Sequence, residues 1–216
     1  MNHDRPSKIV CVGRNYAAHA RELGNQVPER PLLFLKPPSS LIGDGDAIVM
    51  PPDSARVEHE GEIAVVIGRR VRAVSEAEAM QAVAGFAPLN DVTARDLQKL
   101  DVQFTRAKGF DTFCPVGSAA AANGIDWRAL EVICRVNGEL RQHGRATDMV
   151  FGIPSLVSFI SGIMTLEPGD LIATGTPEGV GPIRAGDVVE VEVPGVGVLH
   201  NPVTDRAVAV NPSGGI

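Results

Sequence analysis

Short apolar stretches separated by turn residues run along most of the chain, and they predict a protein built mainly of short strands. Residues 137 and 138 are Asn-Gly, the pair typical of a two-residue hairpin turn between two strands. Gly-Asp pairs precede three other apolar stretches and favour turns there. The predicted strands are residues 8–12, 31–38, 47–49, 63–67, 132–136, 139–141, 171–173 and 188–193.

Patterns that predict helices are fewer than those that predict strands. Apolar positions spaced three and four apart predict a helix over 154–163, and Ser75 with Glu78 forms a potential capping box. Asn15 is the expected N-cap of another short helix, which Gly24 would end. The predicted helices are residues 16–23, 75–83, 91–98 and 154–163, and the apolar segment 86–89 is interpreted as a loop.

This order of elements predicts an α+β fold with a rolled or barrel-like sheet. The regular alternation of strand and helix that a parallel doubly wound sheet requires is missing. With 216 residues, no internal repeat and no long linker, we expect one domain over residues 1–216.

The charge and the composition argue against some classes of binding partner. A net charge of −6 argues against binding a phosphate backbone, and 4% aromatic residues argue against a base-stacking surface. No apolar run approaches the roughly 20 residues that span a bilayer, and the polar N-terminus lacks a signal-peptide pattern. The three cysteines form no C-x-x-C pair. We therefore expect a cytoplasmic protein with reduced thiols that binds neither nucleic acid nor membrane.

A candidate metal site follows from the segment His59-Glu60-Gly61-Glu62. In an extended chain, residues i and i+2 point to the same side, so Glu60 and Glu62 would present two carboxylates together. Such oxygen ligands suit Mg²⁺, Mn²⁺ or Ca²⁺ better than Zn²⁺. The alternative is a solvated strand end. Asp91 is the candidate third ligand, although it would equally serve as a helix N-cap.

A second constellation pairs an imidazole with a carboxylate. His19 and Glu22 are i and i+3 on the predicted first helix and would be neighbours, either as a base that activates water or as an exposed surface pair. The Gly-rich segment 174–181 could offer backbone N–H groups and a threonine hydroxyl to an anion, or be an ordinary turn. Lys108 is either a carboxylate-binding cation or exposed.

Taken in order, these segments resemble the fumarylacetoacetate hydrolase family over nearly the whole chain, from Lys8 to Val203. The resemblance is carried by Gly13-Arg14-Asn15-Tyr16, Ala18-His19-Ala20-Arg21-Glu22, Phe34-Leu35-Lys36-Pro37, Glu58-His59-Glu60-Gly61-Glu62-Ile63, Asn90-Asp91-Val92-Thr93-Ala94-Arg95-Asp96-Leu97-Gln98, Lys108-Gly109-Phe110-Asp111, Val136-Asn137-Gly138-Glu139 and Thr174-Gly175-Thr176-Pro177.

The resemblance implies the family's β-sandwich and pseudobarrel roll, with one Mg²⁺ or Mn²⁺ ion per chain. It implies that His19 and Glu22 lie on a lid and that Lys108 assists catalysis. The other residues that it implies at the site are the metal ligands Glu60, Glu62 and Asp91 and the substrate-binding residues Arg14, Tyr16, Arg95, Gln98 and Thr176.

The chain is most similar to the short, acylpyruvase-like branch of the family. That likeness implies a homodimer that hydrolyses a C–C bond of acylpyruvate-type 2,4-dioxo acids, such as fumarylpyruvate, to pyruvate and a carboxylic acid during aromatic degradation. The alternatives are an oxaloacetate decarboxylase or tautomerase, a hydroxymuconate-type isomerase or decarboxylase, and a non-catalytic metal- or ligand-binding protein. Glu178 departs from relatives that carry a lysine there, which removes a cation near the site.

Overall fold

The computed structural model describes residues 5–205. Its strands are β1 (Ile9–Gly13), β2 (Leu32–Lys36), β3 (Leu41–Ile42), β4 (Ile48–Val49), β5 (Val57–His59), β6 (Gly61–Ile67), β7 (Val83–Asn90), β8 (Thr93–Ala94), β9 (Cys114–Pro115), β10 (Ala120–Ala121), β11 (Glu131–Val136), β12 (Glu139–Arg145), β13 (Leu171–Ala173), β14 (Gly181–Pro182), β15 (Val188–Val193) and β16 (Gly197–Thr204). Its α-helices are α1 (Ala17–Glu22), α2 (Glu76–Ala79), α3 (Arg95–Leu100), α4 (Thr105–Lys108) and α5 (Ile153–Ile163).

Two large sheets form the body of the fold. One has six strands in the order β10-β7-β6-β13-β1-β2, and the other has five in the order β12-β11-β15-β16-β4. The sheets pack on each other where β6 and β7 contact β11, β15 and β16. Strand pairing is mostly antiparallel, with β1 parallel to β13. The predicted α+β class with a sandwich-like roll is confirmed.

The central strands of the six-stranded sheet, β1, β13 and β6, are buried on both faces. In β1, Val10 and Val12 belong to the main core, whereas Ile9 and Cys11 belong to a smaller cluster on the opposite face. A strand that is covered on both sides has an uninterrupted apolar sequence instead of an alternating one. This explains why the predicted strands 8–12 and 63–67 read as continuous apolar runs.

All the predicted strands are present, and the hairpin turn between β11 and β12 has Asn137 at φ 54° and Gly138 at φ 80°. The interpretation of 86–89 as a loop is wrong, because these residues lie inside β7 and pair with β6. Their burial on both faces removes the alternation that would have marked a strand. The long strand β16 was not predicted.

The helices differ more from their predicted bounds than the strands do. Helix α5 lies where the apolar spacing predicts it. Asn15 is not the N-cap of α1, since Tyr16 holds that position; the Asn15 amide instead donates to the carbonyl oxygens of Phe151 and Thr174. The predicted helix 75–83 is α2 followed by a 3₁₀ turn. No helix within residues 5–205 has the length and apolar character needed to cross a bilayer.

Candidate metal and substrate site

A cavity of about 440 Å³ opens beside α1, α3 and α4 at the end of the six-stranded sheet. It collects nearly all of the predicted site residues from distant parts of the chain. Those that line it are Arg14, His19, Glu22, Glu60, Glu62, Asp91, Arg95, Gln98, Lys108 and Thr176.

Three buried carboxylates meet in this cavity. Glu60 lies between β5 and β6, Glu62 lies in β6, and Asp91 directly follows β7, the antiparallel partner of β6. The Asp91 backbone N–H donates to the Glu60 carbonyl at 2.8 Å, which brings the third acid beside the first two. One oxygen from each carboxylate lies within 4.8 Å of the others. The alternatives of a solvated strand end and a helix N-cap are therefore wrong, because all three residues are buried and α3 begins only at Arg95.

Buried cations surround the carboxylates. The Lys108 ammonium lies 2.7 Å from Glu60 Oε2 and 2.6 Å from Asp91 Oδ2, so it is not the exposed lysine of the alternative reading. Lys36, which the sequence did not single out, donates to Asp91 Oδ1 at 2.6 Å. Arg95 pairs with Glu60 through its Nη2. The site thus already holds positive charge between its acids.

The surrounding charges shift the pKa values of Glu60 and Glu62 in opposite directions. Burial acts to raise both pKa values, but Lys108 and Arg95 hold the pKa of Glu60 well below its usual range. Burial, together with the charges of Asp91 and Glu60, raises the pKa of Glu62 well above its usual range. The charge of Lys108 acts to lower this pKa, but no cation within residues 5–205 forms an ion pair with Glu62. An all-carboxylate donor set with one acid outside any ion pair fits a hard divalent ion such as Mg²⁺ or Mn²⁺.

The imidazole and carboxylate of α1 lie across the same cavity. His19 Nδ1 is 3.3 Å from Glu22 Oε2; the imidazole is buried, at 5% exposed, whereas Glu22 is exposed at the cavity rim, so only one member of the pair lies on the surface. Glu22 also accepts a hydrogen bond of 3.0 Å from the Gly179 N–H. The carboxylate orients the ring from one nitrogen, which leaves the other nitrogen as a proton acceptor.

Of the predicted substrate-binding residues, all but Tyr16 line the cavity. Arg95 donates from Nη1 to Gln98 Oε1 at 2.6 Å and from Nε to Glu58 Oε2 at 2.7 Å. Arg14 reaches the cavity from a left-handed backbone position, at φ 58°. Tyr16 is not among the cavity-lining residues, because its ring packs into the main core.

Two groups of the glycine-rich segment 174–181 donate hydrogen bonds within the protein. The Gly175 N–H donates to Glu62 Oε2 at 2.8 Å, and the Thr176 hydroxyl donates to the Gly61 carbonyl oxygen at 2.9 Å. These two groups therefore hold residues of strand β6, so they are not available as donors to an external anion. Glu178 is exposed and is not among the residues that line the cavity.

Three supporting residues were given no role from the sequence: Lys36, Glu58 and Gln142. Glu58 had a signal, because it continues the i, i+2 spacing of Glu60 and Glu62. Lys36 lies in a segment that carries the family resemblance, but nothing in its local spacing indicated its contact with Asp91, and Gln142 had no signal, since both reach the site through long-range contacts.

Comparison with known proteins agrees with this geometry. The profile of the family described as "Fumarylacetoacetate (FAA) hydrolase C-terminal" matches residues 8–204. The chain belongs to this family.

Its relatives carry several activities. The chain is 47% identical to the mitochondrial oxaloacetate tautomerase FAHD1 of Bos taurus, over 87% of each chain. It is 48% identical to a 5-carboxymethyl-2-hydroxymuconate delta-isomerase from Mycobacterium smegmatis, with a TM-score of 0.86 over 94% of this chain and 80% of the other. It is 30% identical to a fumarylpyruvate hydrolase from Pseudomonas aeruginosa, crystallised with Mn²⁺ and pyruvate, with a TM-score of 0.88 over 95% and 94%.

Proposed function

We propose that this protein is an enzyme, dependent on Mg²⁺ or Mn²⁺, that moves a proton at the carbon next to the 2-oxo group of a 2-oxo acid. One observation carries the proposal: His19, oriented by Glu22, faces the same cavity as the carboxylates of Glu60, Glu62 and Asp91. A divalent ion bound by those carboxylates would supply Lewis-acid polarisation of the 2-oxo group.

The chain's own groups account for the proton transfer. His19 accepts a proton from C3 of the substrate, the electron pair of that C–H bond forms the C2–C3 double bond, and the π pair of the 2-oxo group moves to its oxygen to give the enolate. Return of the proton from His19 to that oxygen gives the enol, and return to C3 gives back the keto form. The Lys108 ammonium lies beside the triad and provides positive charge where the 2-oxo oxygen becomes negative. Burial acts to lower the pKa of Lys108, but Asp91 and Glu60 raise it above its usual value, so this lysine stays charged.

Charge on the cavity wall favours a substrate with two carboxylates. Arg14 and Lys99 both line the cavity, and neither forms an ion pair or side-chain hydrogen bond within residues 5–205. Arg95, by contrast, is already paired with Glu58 and Glu60. Such a wall suits oxaloacetate and fumarylpyruvate alike, since both carry two carboxylates. Keto–enol tautomerisation of an oxaloacetate-like diacid is our first candidate reaction because the chain is 47% identical to the oxaloacetate tautomerase and 30% identical to the fumarylpyruvate hydrolase.

Hydrolysis of an acylpyruvate is the second candidate. It is favoured by the likeness to the fumarylpyruvate hydrolase, whose crystals held pyruvate. In this reaction His19 would take a proton from water, and the hydroxide would attack the carbonyl distal to the 2-oxo acid. The bond between C3 and that carbonyl would then break, with its electron pair leaving to the pyruvate fragment.

The test follows enol-oxaloacetate ketonisation and, separately, pyruvate release from oxaloacetate and from acylpyruvates, with Mn²⁺ or with EDTA. We expect Mn²⁺-dependent turnover, and a loss of roughly 10²–10⁴-fold in kcat for His19→Asn. The control is His143→Asn, which removes an equivalent imidazole–carboxylate pair, with Glu131, from the exposed face of β12. Full activity of His19→Asn, or no turnover by wild type of any substrate in the panel, would contradict the proposal.

A further inference from the structure

A buried glutamine, Gln142, contacts β6, the strand that carries Gly61 and Glu62, and uses every donor and acceptor of its amide. Gln142 lies in β12 and is 1% exposed. Its Oε1 accepts from His59 Nδ1 at 3.0 Å and from the Gly61 N–H at 2.9 Å. Its Nε2 donates to Thr176 Oγ1 at 2.7 Å and to the Pro177 carbonyl oxygen at 2.8 Å. An amide has two donors and a carbonyl oxygen with two lone pairs, so all four are used.

The amide has only one acceptable orientation. Flipping it would turn Nε2 toward the Gly61 N–H, donor against donor, and Oε1 toward the Pro177 carbonyl, acceptor against acceptor. Both mismatches would be buried, where an unmade hydrogen bond is most costly. Gln142 is thus a fixed link between β5, β6 and the segment that contains Thr176.

This link closes around a single residue of the metal site. Gly61 separates Glu60 from Glu62; its N–H donates to Gln142, and its carbonyl accepts from the Thr176 hydroxyl. Thr176 in turn accepts from Gln142. Gly61 is held on both sides, and the directions in which its two neighbours present their carboxylates depend on it.

The same network limits what Thr176 can do. A threonine hydroxyl has one hydrogen, and here that hydrogen is given to Gly61. Toward the cavity, Thr176 Oγ1 can only accept a hydrogen bond, so it does not donate to a substrate carboxylate.

We propose that Gln142 is a positioning residue for the metal centre: it holds the peptide units on both sides of Gly61, one directly and the other through Thr176, and so keeps Glu60 and Glu62 at the spacing a divalent ion requires. The inference rests on the metal site of the proposed function. It requires no particular reaction, because it concerns the binding of the ion alone.

The experiment titrates chelator-treated full-length protein with Mn²⁺ by calorimetry, after circular dichroism has shown each variant to be folded. Gln142→Met keeps the length of the side chain and removes its hydrogen bonds. We expect it to weaken Mn²⁺ binding by roughly 10–100-fold, the loss found when an outer partner of a metal ligand is removed. Thr176→Val should weaken binding similarly, whereas Thr176→Ser, which keeps the hydroxyl, should bind as wild type does.

A matched control separates positioning from general destabilisation. Asn201 is also a buried amide on a strand, and it donates at 2.8 Å to the carbonyl oxygens of Gly43 and Asp46. Asn201→Leu should lower the unfolding temperature and leave Mn²⁺ affinity unchanged. The double variant Gln142→Met/Thr176→Val should lose less affinity than the product of the two single losses, because both release Gly61 and both break the Gln142–Thr176 hydrogen bond.

Wild-type affinity in folded Gln142→Met would overturn the inference, as would an equal loss of affinity in Asn201→Leu. If Gln142→Met does not fold, the Thr176 variants decide, and unchanged Mn²⁺ binding by Thr176→Val overturns it. Failure of the proposed function is seen separately, as wild-type protein that binds Mn²⁺ and turns over no 2-oxo acid. Wild-type protein that binds no Mn²⁺ overturns both.

Discussion

Glu62 is the acid of the triad with the weakest compensation. Lys108 contacts both Glu60 and Asp91, whereas the only hydrogen bond that Glu62 receives within residues 5–205 comes from the Gly175 N–H. Burial and its acidic neighbours raise its pKa. This residue therefore opposes stability when it is ionised in metal-free protein, and a bound cation would remove the penalty.

We predict that Glu62→Gln loses Mn²⁺ affinity by more than the roughly 10–100-fold typical of an outer partner, because a ligand itself is changed. The metal-free variant should also unfold at a higher temperature than wild type at neutral pH, since glutamine carries no charge and still accepts from Gly175. Calorimetric titration and thermal unfolding check the two effects. Glu131→Gln, on the exposed sheet face, should show neither, and Mn²⁺ affinity equal to wild type in Glu62→Gln would rule out this ligand.

Among the elements, the turn before β13 depends on one buried carboxylate. Asp170 accepts from the Glu167 N–H, the Ser7 hydroxyl and the Lys8 backbone N–H, and it pairs with the Lys8 ammonium. It thereby ties the start of β1 to its parallel partner β13. Burial acts to raise the pKa of Asp170, but these hydrogen bonds and Lys8 lower it below the usual value.

Asp170→Asn should therefore cost about 1–3 kcal/mol of unfolding free energy at neutral pH, the range for a buried hydrogen-bonded charge. A lowered pKa gives stability that is present above the unfolded-state pKa and is lost as pH falls through the folded-state pKa. The difference from wild type should accordingly shrink in acid. Urea unfolding at neutral and acidic pH measures it. Asp187→Asn, in the more exposed Gly-Asp turn before β15, should cost less, and a pH-independent difference for Asp170→Asn would contradict this account.

Helix α1 is too short to be stable by itself. It has six residues and no side-chain cap, and helices of this length are marginal without tertiary contacts. Glu22 attaches its C-terminal end to the Gly179 N–H, and Ala20 packs into the interior.

We predict that α1 is a lid that is mobile without ligand and ordered when Mn²⁺ and oxalate or pyruvate are bound. Hydrogen exchange followed by mass spectrometry should show slower exchange over residues 17–22 in the bound state. Helix α5, which packs into the main core, serves as the internal reference and should not change. Exchange over 17–22 that is equally slow with and without ligand would reject the lid.

For the whole molecule, the exposed edge of the six-stranded sheet is the feature that bears on assembly. Strand β2 ends the sheet order, and Leu35 is 49% exposed on it. An apolar side chain on an unpaired edge favours covering by another chain. We predict a homodimer, as the family resemblance implies, and a cytoplasmic location stays a prediction beside it.

Light scattering on the purified chain at micromolar concentration should give twice the chain mass of 22.8 kDa. Leu35→Lys places a charge on this edge and should shift the population toward monomer if β2 lies in the interface. Ile163→Lys, at a similarly exposed apolar residue that ends α5 and does not lie on a sheet edge, is the control. A wild-type mass near 22.8 kDa would show the prediction to be wrong.

The sequence by itself determined what depends on neighbouring residues. The spacing of Glu60 and Glu62 predicted two carboxylates on one side of an extended chain, the Asn-Gly pair predicted the hairpin, and the apolar periodicity predicted α5, because each follows from local backbone geometry. Only the tertiary structure decided what depends on partners far along the chain. It placed Asp91 beside Glu60 through β6–β7 pairing, and it buried Lys36 and Gln142 against the metal-site strand. It also turned Tyr16 into the core. These contacts join residues tens of positions apart, so no local pattern in the sequence encodes them.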